Sequence, residues 1–415
     1  MGIVEQVRGI FLPALLLTAT SCSVIPKMTG ETAVQSAQAI HQKALVLDSH
    51  IDIDFDTIAD DMDPWSSGTA RADLNKMEAG GMDGAFLIVY TGQGPDTEEG
   101  ITKAQETAQT RYQAIQRLTT KYPERIELAL NARDARRIHQ AGKRIAFIGM
   151  ENAYPLGHSV DDVQMWHQRG VRYMGITHVG HNVFGDSSNP AYSKGEPENL
   201  HGGLSALGNE LILELNKTGI IVDVSHAGKQ TMLQAVALSK VPVIASHSGA
   251  RAVADNARNL DDEQLRALAK KGGVVQIVAY GGYLKDLTAE QQQLKNNIRA
   301  EMGLEDDMAF LSMDEATEDI FDKKMSAVTA LSAPANVADL VDHIEHVIYT
   351  VGIDHVGISS DFDGGGKIAG WMDAAQTQNI TEELVERGYT QKDINKIWGE
   401  NLLRVLDAVQ DYARH

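Results

Sequence analysis

The 415 residues include a single cysteine, Cys22. The chain therefore has no internal disulfide and no zinc site built from cysteine. Basic side chains are also scarce, since 37 Lys and Arg stand against 57 Asp and Glu and leave a formal net charge of −20. A surface of this sign repels phosphate backbones and anionic lipid headgroups, so we expect no nucleic-acid partner. With 43% hydrophobic and 23% charged residues, the composition is that of a globular chain that can bury a full core.

The amino terminus has an apolar run that is too short for a membrane span. Residues 10–17 are apolar and interrupted by Pro13, which is typical of the core of a signal peptide. The segment Ala19-Thr20-Ser21-Cys22 resembles a bacterial lipoprotein cleavage site. We therefore expect removal of residues 1–22, a lipid on Cys22 and a place in the cell envelope, with lipid-free export or an untargeted start as alternatives. Residues 23–40 are predicted to form a tether.

Beyond the tether, eight short runs rich in Val and Ile alternate with helical patterns. The runs span residues 44–53, 82–90, 145–151, 173–179, 220–226, 241–247, 273–280 and 355–361. Continuous apolar strands with helices between them predict a parallel sheet covered on both faces. Eight such units without an opening GxGxxG favour a closed (β/α)8, TIM-like barrel over a doubly wound sheet, as one catalytic domain from residue 41 to 415.

One stretch, from about residue 284 to 332, departs from this alternation. It is acidic and helical in pattern, and we interpret it as an insertion after the seventh strand, before a helix from about Asn336 to Val351. Its acidic run Glu305-Asp306-Asp307 is expected to face solvent.

Ionisable side chains stand where six of the predicted strands end. They are His50, Asp52, Glu151, His178, His226, His247 and Asp361. In a barrel of this kind the carboxyl ends of the strands surround one mouth, where catalytic groups collect. Each histidine alone is more typical of a satisfied core residue, and an isolated HxD pair is a weak signal. Their combination at strand ends predicts one site.

The spacing of these residues indicates a metal centre. His50 and Asp52 are two apart on a strand, so both face the same side and can hold one cation. His226 and His247 end successive strands and can hold a second cation. Glu151 has two oxygens and can bridge the pair. A ligand set of nitrogen and oxygen without sulfur suits zinc, and it also admits manganese, cobalt or iron.

From about Ala44 to Leu406 the sequence resembles the membrane (renal) dipeptidases, metallopeptidases with an amidohydrolase-like barrel. The motifs that carry the resemblance are Asp48-Ser49-His50-Ile51-Asp52, Gly149-Met150-Glu151, Gly170-Val171-Arg172-Tyr173, Thr177-His178, Gly203-Leu204-Ser205, Asp223-Val224-Ser225-His226, Pro242-Val243-Ile244-Ala245-Ser246-His247-Ser248, Arg258-Asn259, Gly357-Ile358-Ser359-Ser360-Asp361-Phe362-Asp363-Gly364 and Gly399-Glu400-Asn401-Leu402-Leu403-Arg404-Val405.

The resemblance implies a binuclear zinc dipeptidase, in which a hydroxide bridging the ions attacks the peptide carbonyl. It makes His50 and Asp52 ligands of one zinc and His226 and His247 ligands of the other, with Glu151 as the bridge. It also implies four further roles: His178 contacts the scissile carbonyl oxygen, Arg258 binds the substrate carboxylate, Asp361 transfers protons and Tyr283 contacts the substrate. Taken alone, Arg258 could equally be an ion-paired arginine and Asp361 a helix cap.

Two other functions stay open from the sequence. One is a related metal-dependent hydrolase of another small amide, such as a lactam or an N-acyl amino acid. The other is a solute-binding lipoprotein without catalysis, which has no use for a proton-transferring Asp361. We expect two zinc ions per chain, small dipeptide substrates, and membrane contact only through a lipid on Cys22. A homodimer is left open.

Overall fold

The computed structural model describes residues 30–53, 68, 70–304, 306–311 and 313–415. The predicted signal peptide and Cys22 lie outside these residues. Nine strands form the sheet: β1 (Leu47–Asp52), β2 (Gly84–Tyr90), β3 (Ile126–Leu128), β4 (Arg144–Glu151), β5 (Val171–Gly175), β6 (Ile221–Asp223), β7 (Ile244–Ser248), β8 (Val274–Val278) and β9 (Val356–Ser359).

The strands form a nearly closed barrel. All pairs are parallel, in the order β1-β2-β4-β5-β6-β7-β8-β9, and the short β3 pairs only with the outer part of β4. The gap between β9 and β1 is bridged at the carboxyl ends of the strands, where the backbone N–H of Asp52, the last residue of β1, donates to the carbonyl of Phe362, just beyond β9, at 2.9 Å. The predicted TIM-like (β/α)8 barrel is thus confirmed. The sequence analysis missed β3, which has only three residues.

Helices of varied length separate the strands. They are α1 (Gly30–His41), α2 (Leu74–Gly80), α3 (Glu98–Lys121), α4 (Ala132–Gln140), α5 (Val163–Gln168), α6 (Ala206–Thr218), α7 (Lys229–Leu238), α8 (Asp262–Lys270), α9 (Gly281–Leu284), α10 (Ala289–Glu301), α11 (Asp307–Leu311), α12 (Glu315–Thr329), α13 (Val337–Val351), α14 (Gln378–Glu386), α15 (Gln391–Asn395) and α16 (Asn401–Ala413). No helix in the described part of the chain has both the length and the apolar character needed to cross a bilayer.

Local signals account for several helix ends. Asp73 caps α2 by accepting the Lys76 backbone N–H, and Gly81 ends the helix with a left-handed conformation. Asp261 begins α8 with a capping box, and Asn336 begins α13 in the same way. The start of α13 at Asn336 is the one that the sequence predicted.

Part of the segment that was predicted to be a tether forms a helix. Residues 30–40 belong to α1, which packs on α14, and Ala37 and His41 are buried. His41 pairs with Thr381 Oγ1 at 2.7 Å and with the Gly80 carbonyl at 2.9 Å. The prediction of a tether is therefore wrong over residues 30–40, because α1 finds an apolar surface on the barrel.

The segment that we interpret as an insertion contains α10, α11 and α12. Its acidic run is not simply solvent-exposed, however. Asp306 is only 9% exposed, and its carboxylate accepts hydrogen bonds from Ser193. Glu305 lies outside the described residues.

Candidate metal centre

The side chains at the mouth are held by unusual backbone conformations at two strand ends. His226 follows β6 with φ of 63°, and Asp361 follows β9 with φ of 57°. Non-glycine residues seldom adopt such values, so the surrounding fold must hold them there. The Asp361 backbone N–H donates to the His50 carbonyl at 3.1 Å, which joins the last strand to the first.

Glu151 lies at the centre of the site. Its Oε1 is 3.0 Å from His226 Nε2 and 3.2 Å from His247 Nε2, while its Oε2 is 3.5 Å from His50 Nε2. The two carboxylate oxygens therefore face different histidines. This is the arrangement required of a residue that contacts two cations at once.

The other side of the site is formed by two further carboxylates. His50 Nε2 is 3.5 Å from Asp52 Oδ2 and 3.9 Å from Asp361 Oδ1. Both carboxylates approach Gly364, where an added Cβ would lie 2.3 Å from Asp52 Oδ2 and 2.7 Å from Asp361 Oδ1. A side chain at position 364 would therefore collide with the carboxylates of Asp52 and Asp361.

A polar chain orients His247 from behind. Its Nδ1 lies 2.8 Å from Ser246 Oγ, which donates to Asp223 Oδ2 at 2.7 Å. Since the serine proton is committed to Asp223, His247 Nδ1 is the donor to Ser246. The lone pair of Nε2 is then directed at the site. Such partners fix the tautomer of metal-binding histidines.

His50 is oriented in the same manner. Its Nδ1 is 2.8 Å from the Tyr173 hydroxyl, which donates to the Ser49 carbonyl at 3.1 Å. Tyr173 stands over an aromatic stack in the barrel interior, 5.1 Å from the ring of Phe86. His50 Nε2 is buried and has no hydrogen-bond partner in the described part of the chain.

Burial and neighbouring charges shift the pKa values in opposite directions. Burial lowers the pKa of His226 and of His247 well below the usual range, which keeps both neutral. At His50 burial is outweighed by Glu151 and Asp52, and the pKa is raised. Burial, together with the charges of Asp52 and Glu151, raises the pKa of Asp361 well above its usual value.

Two residues that the sequence analysis missed join this network. Tyr90 ends β2, and its hydroxyl is 3.4 Å from His178 Nδ1, while His178 Nε2 is 3.8 Å from Glu151 Oε1. Arg111 is buried on α3, with Nη1 3.8 Å from Asp52 Oδ1 and Cζ 5.1 Å from the Tyr90 ring centroid. The signal was available, because Arg111 lies on the apolar face of α3 with Ala104, Ala108 and Ile115.

Arg258 lies next to His247, and Tyr283 lies against Arg258. Arg258 Nη2 donates to the His247 carbonyl at 3.1 Å, and its Cζ lies 5.4 Å from the Tyr283 ring centroid. Arg258 is 2% exposed, and its buried Nε has no hydrogen-bond partner in the part of the chain that the structure describes. A buried guanidinium of this kind suits an anionic ligand.

The donor set fits divalent cations. Three groups have ligand atoms within 4.8 Å of one another: His50, Glu151 and His247; Glu151, His178 and His226; and His50, Asp52 and Asp361. Neutral imidazoles and carboxylates are the ligands that zinc accepts in catalytic sites. All seven residues predicted from strand ends are thus brought together in one place.

Comparison with known proteins finds relatives that cover most of the chain. The family model of the membrane dipeptidases (peptidase family M19) matches residues 34–415. Dipeptidase tcpJ of Claviceps purpurea is 29% identical over 362 residues, which are 86% of this chain and 73% of that protein. The crystal structure of the probable dipeptidase PvdM from Pseudomonas aeruginosa has a TM-score of 0.84 and 32% identity, covering 93% of this chain and 100% of that one.

A third likeness concerns the fold alone. A metallopeptidase from Rhodobacter sphaeroides, liganded with a phosphinate mimic of the dipeptide L-Ala-D-Ala, has a TM-score of 0.69 at 22% identity, covering 88% of this chain and 99% of that one.

Proposed function

The chain belongs to the membrane dipeptidase family of metallopeptidases, and on that premise we propose that it is a binuclear zinc dipeptidase acting on short dipeptides. The observation that carries the proposal is the position of Glu151, with one oxygen against His226 and His247 and the other against His50. A buried carboxylate without a cation gains little from the two neutral imidazoles of His226 and His247 that lie against its Oε1.

We assign His50 and Asp52 to one zinc, His226 and His247 to the other, and Glu151 to both. Two such ions, when bound, acidify a shared water and polarise the substrate carbonyl. The neutral state of His226 and His247 favours this assignment, because only an unprotonated nitrogen can be a ligand. Manganese, cobalt and iron suit the same donors.

The remaining groups of the site have the chemistry that peptide hydrolysis needs. His178 Nε2 faces the site beside Glu151 and can donate to the carbonyl oxygen as negative charge develops on it. As a carboxylate, Asp361 can take a proton from the attacking water and deliver it to the leaving amine, and burial, which raises its pKa, increases its affinity for that proton. Its Oδ1 is near His50 and therefore near the reacting atoms.

Arg258 explains why the substrate would be a dipeptide. Its buried guanidinium can bind a terminal carboxylate through two parallel N–H bonds. A longer peptide has an amide at that position and would leave the charge unpaired. Tyr283 stacks against Arg258 and borders the same end of the substrate.

The alternative function is hydrolysis of another small amide, such as a lactam or an N-acyl amino acid, with the same metals. The two differ in whether a free amine and a free carboxylate are both required. A panel of L-L, L-D, amino-blocked and carboxyl-blocked dipeptides separates them, with amino-acid release measured with and without a chelator. Chelator-sensitive cleavage of unblocked dipeptides alone supports the dipeptidase, whereas cleavage of blocked substrates supports the broader hydrolase.

The metal assignment is tested by His247→Ala. We expect loss of activity and of bound zinc, measured by elemental analysis, with an unchanged circular dichroism spectrum. His158→Ala is the matched control, since His158 is exposed and pairs with Asp96. Full activity in His247→Ala would overturn the ligand assignment.

We also propose that the mature protein is exported and held at the cell envelope by a lipid on Cys22. The support is the sequence around residues 10–22. Fractionation of cells that express the native chain or Cys22→Ser tests it: the native protein should partition with membranes and the variant should not. A homodimer is compatible with this attachment. Sedimentation analysis of the chain from Ser23 onward measures its molecular mass in solution and so distinguishes a monomer from a dimer.

A further inference from the structure

Three consecutive residues of the insertion contact the loop that follows β5. We name Asp306, Asp307 and Met308 the clamp. Ser193 Oγ donates to Asp306 Oδ1 at 2.8 Å, and Asn189 Nδ2 donates to Asp307 Oδ2 at 2.6 Å. Met308 packs in a small apolar cluster with two residues of the loop, Val179 and Ala191. The contact therefore has both polar and apolar parts.

The clamp is anchored on the insertion side as well. Asp306 Oδ1 accepts the Ala309 backbone N–H at 2.9 Å, and Asp307 Oδ1 is 3.3 Å from Arg299 Nη1 on α10. Asp306 is buried, yet its hydrogen bonds with Ser193 and Ala309 outweigh the effect of burial and lower its pKa. Asp306 is therefore charged, and its interaction with the loop is a strong one.

The same loop holds the backbone of two site histidines. Ser187 Oγ donates to the His178 carbonyl at 2.5 Å, and the Ser188 backbone N–H donates to the His226 carbonyl at 2.7 Å. Asn189, the residue held by the clamp, is joined to this pair because its backbone N–H donates to Ser187 Oγ at 3.1 Å. A continuous set of hydrogen bonds thus runs from the insertion to the metal centre.

We propose that the clamp positions His178 for catalysis, so that the insertion acts as a support for the catalytic site. The inference rests on the proposed dipeptidase function. Its physical basis is that hydrolysis depends on ångström-scale placement of the group that stabilises the oxyanion, and a loop without a support samples other positions. Asp306, Asp307 and Met308 are positioning residues, since they do not touch the reacting atoms.

Asp306→Ala tests the clamp, and Asp314→Ala is the matched control. Asp314 lies in the same insertion, where its carboxylate accepts the Thr317 backbone N–H and caps α12, away from the loop. We expect Asp306→Ala to lower kcat about tenfold or more with little change in KM. Asp314→Ala should leave kcat within about twofold of the native value, even if it lowers the melting temperature as much as Asp306→Ala does.

A double-mutant cycle with His178→Ala separates positioning from general damage. If the clamp acts through His178, Asp306→Ala should lower kcat less than about twofold once His178 is absent. An equal loss in both backgrounds would overturn the proposal. Asn189→Ala removes the hydrogen bond that the loop donates to Asp307, the neighbouring residue of the clamp, and should also lower kcat.

A measurement independent of activity keeps this inference distinct from the proposed function. Hydrogen–deuterium exchange of peptides that cover residues 187–193 should be faster in Asp306→Ala than in the native protein and unchanged in Asp314→Ala. Unchanged exchange in Asp306→Ala would overturn the clamp even in an active dipeptidase. Faster exchange in a protein that cleaves no dipeptide would leave the clamp standing and remove the proposed function instead.

Discussion

His226 Nε2 and His247 Nε2 lie 2.9 Å apart, and both lie within 3.2 Å of Glu151 Oε1. The proximity follows from the topology, since β6 and β7 are neighbours and each residue stands at the end of its strand. His226 reaches this position only with a φ of 63°, a conformation that costs on the order of 1 kcal/mol or more. The backbone at His226 is thus strained in the conformation that brings the two imidazoles against one carboxylate.

Ser246→Ala should weaken zinc binding. The substitution removes the group between His247 Nδ1 and Asp223, so the imidazole loses its fixed orientation. Loss of such a partner typically costs about 10- to 100-fold in metal affinity, and excess zinc should restore activity. Competition with a chelator measures the affinity. Ser239→Ala is the control, because Ser239 is also buried but bonds to Asn216, outside the metal centre; an equal loss there would contradict the assigned role.

Arg258→Met should abolish the preference for a free carboxylate. For unblocked dipeptides we expect kcat/KM to fall about 10- to 100-fold, the usual range for hydrogen bonds to a charged group. Hydrolysis of carboxyl-amidated dipeptides should hardly change, so the ratio of the two kcat/KM values should approach one. Arg251→Met serves as the control, since Arg251 is exposed and pairs with Asp255. An unchanged ratio in Arg258→Met would place the carboxylate elsewhere.

Tyr90→Phe should lower kcat about tenfold, the equivalent of one hydrogen bond, and leave KM almost unchanged. Burial raises the pKa of Tyr90, so its hydroxyl stays protonated and can donate to His178 Nδ1. That donation keeps the His178 proton on Nε2, where it faces the substrate oxygen. Tyr154→Phe is a matched control, because Tyr154 donates to the Pro95 carbonyl instead. Full kcat in Tyr90→Phe would show that another group sets the tautomer.

The free energy of unfolding, measured by urea titration in the presence of a chelator, should fall as the pH drops below about 6.5. Burial lowers the pKa of His343 from its usual 6.5, so below that value the unfolded chain binds a proton that the folded chain does not. The loss is at most ~1.4 kcal/mol per pH unit for one group. Protonation would also break the bond from the Ala250 backbone N–H to His343 Nδ1.

His343→Gln should therefore show a shallower decline than the native protein over the same pH range. His158→Gln, which replaces an exposed histidine, should follow the native curve. A decline of the same slope in His343→Gln would assign the pH dependence to other groups.

The barrel and the seven strand-end residues could be predicted because both follow from local pattern. Apolar runs separated by helical segments specify parallel strands, and parallel strands place their carboxyl ends at one mouth. His50, Glu151 and His247 could therefore be recognised as neighbours although they are far apart in the sequence. The resemblance to a known family added roles for Arg258, which lies beside His247, and for Tyr283, which lies beside Arg258.

The sequence by itself thus determined the barrel order of the elements and the chemistry at its mouth. Only the tertiary structure decided what orients that chemistry. Tyr90 and Arg111 contact the site through a strand end and a helix face, and Asp306 holds a loop more than 110 residues earlier in the chain. Such contacts depend on distances between elements, which local periodicity does not encode. For the same reason the sequence analysis predicted a tether where α1 lies, because the surface of α14 against which α1 packs exists only in the folded chain.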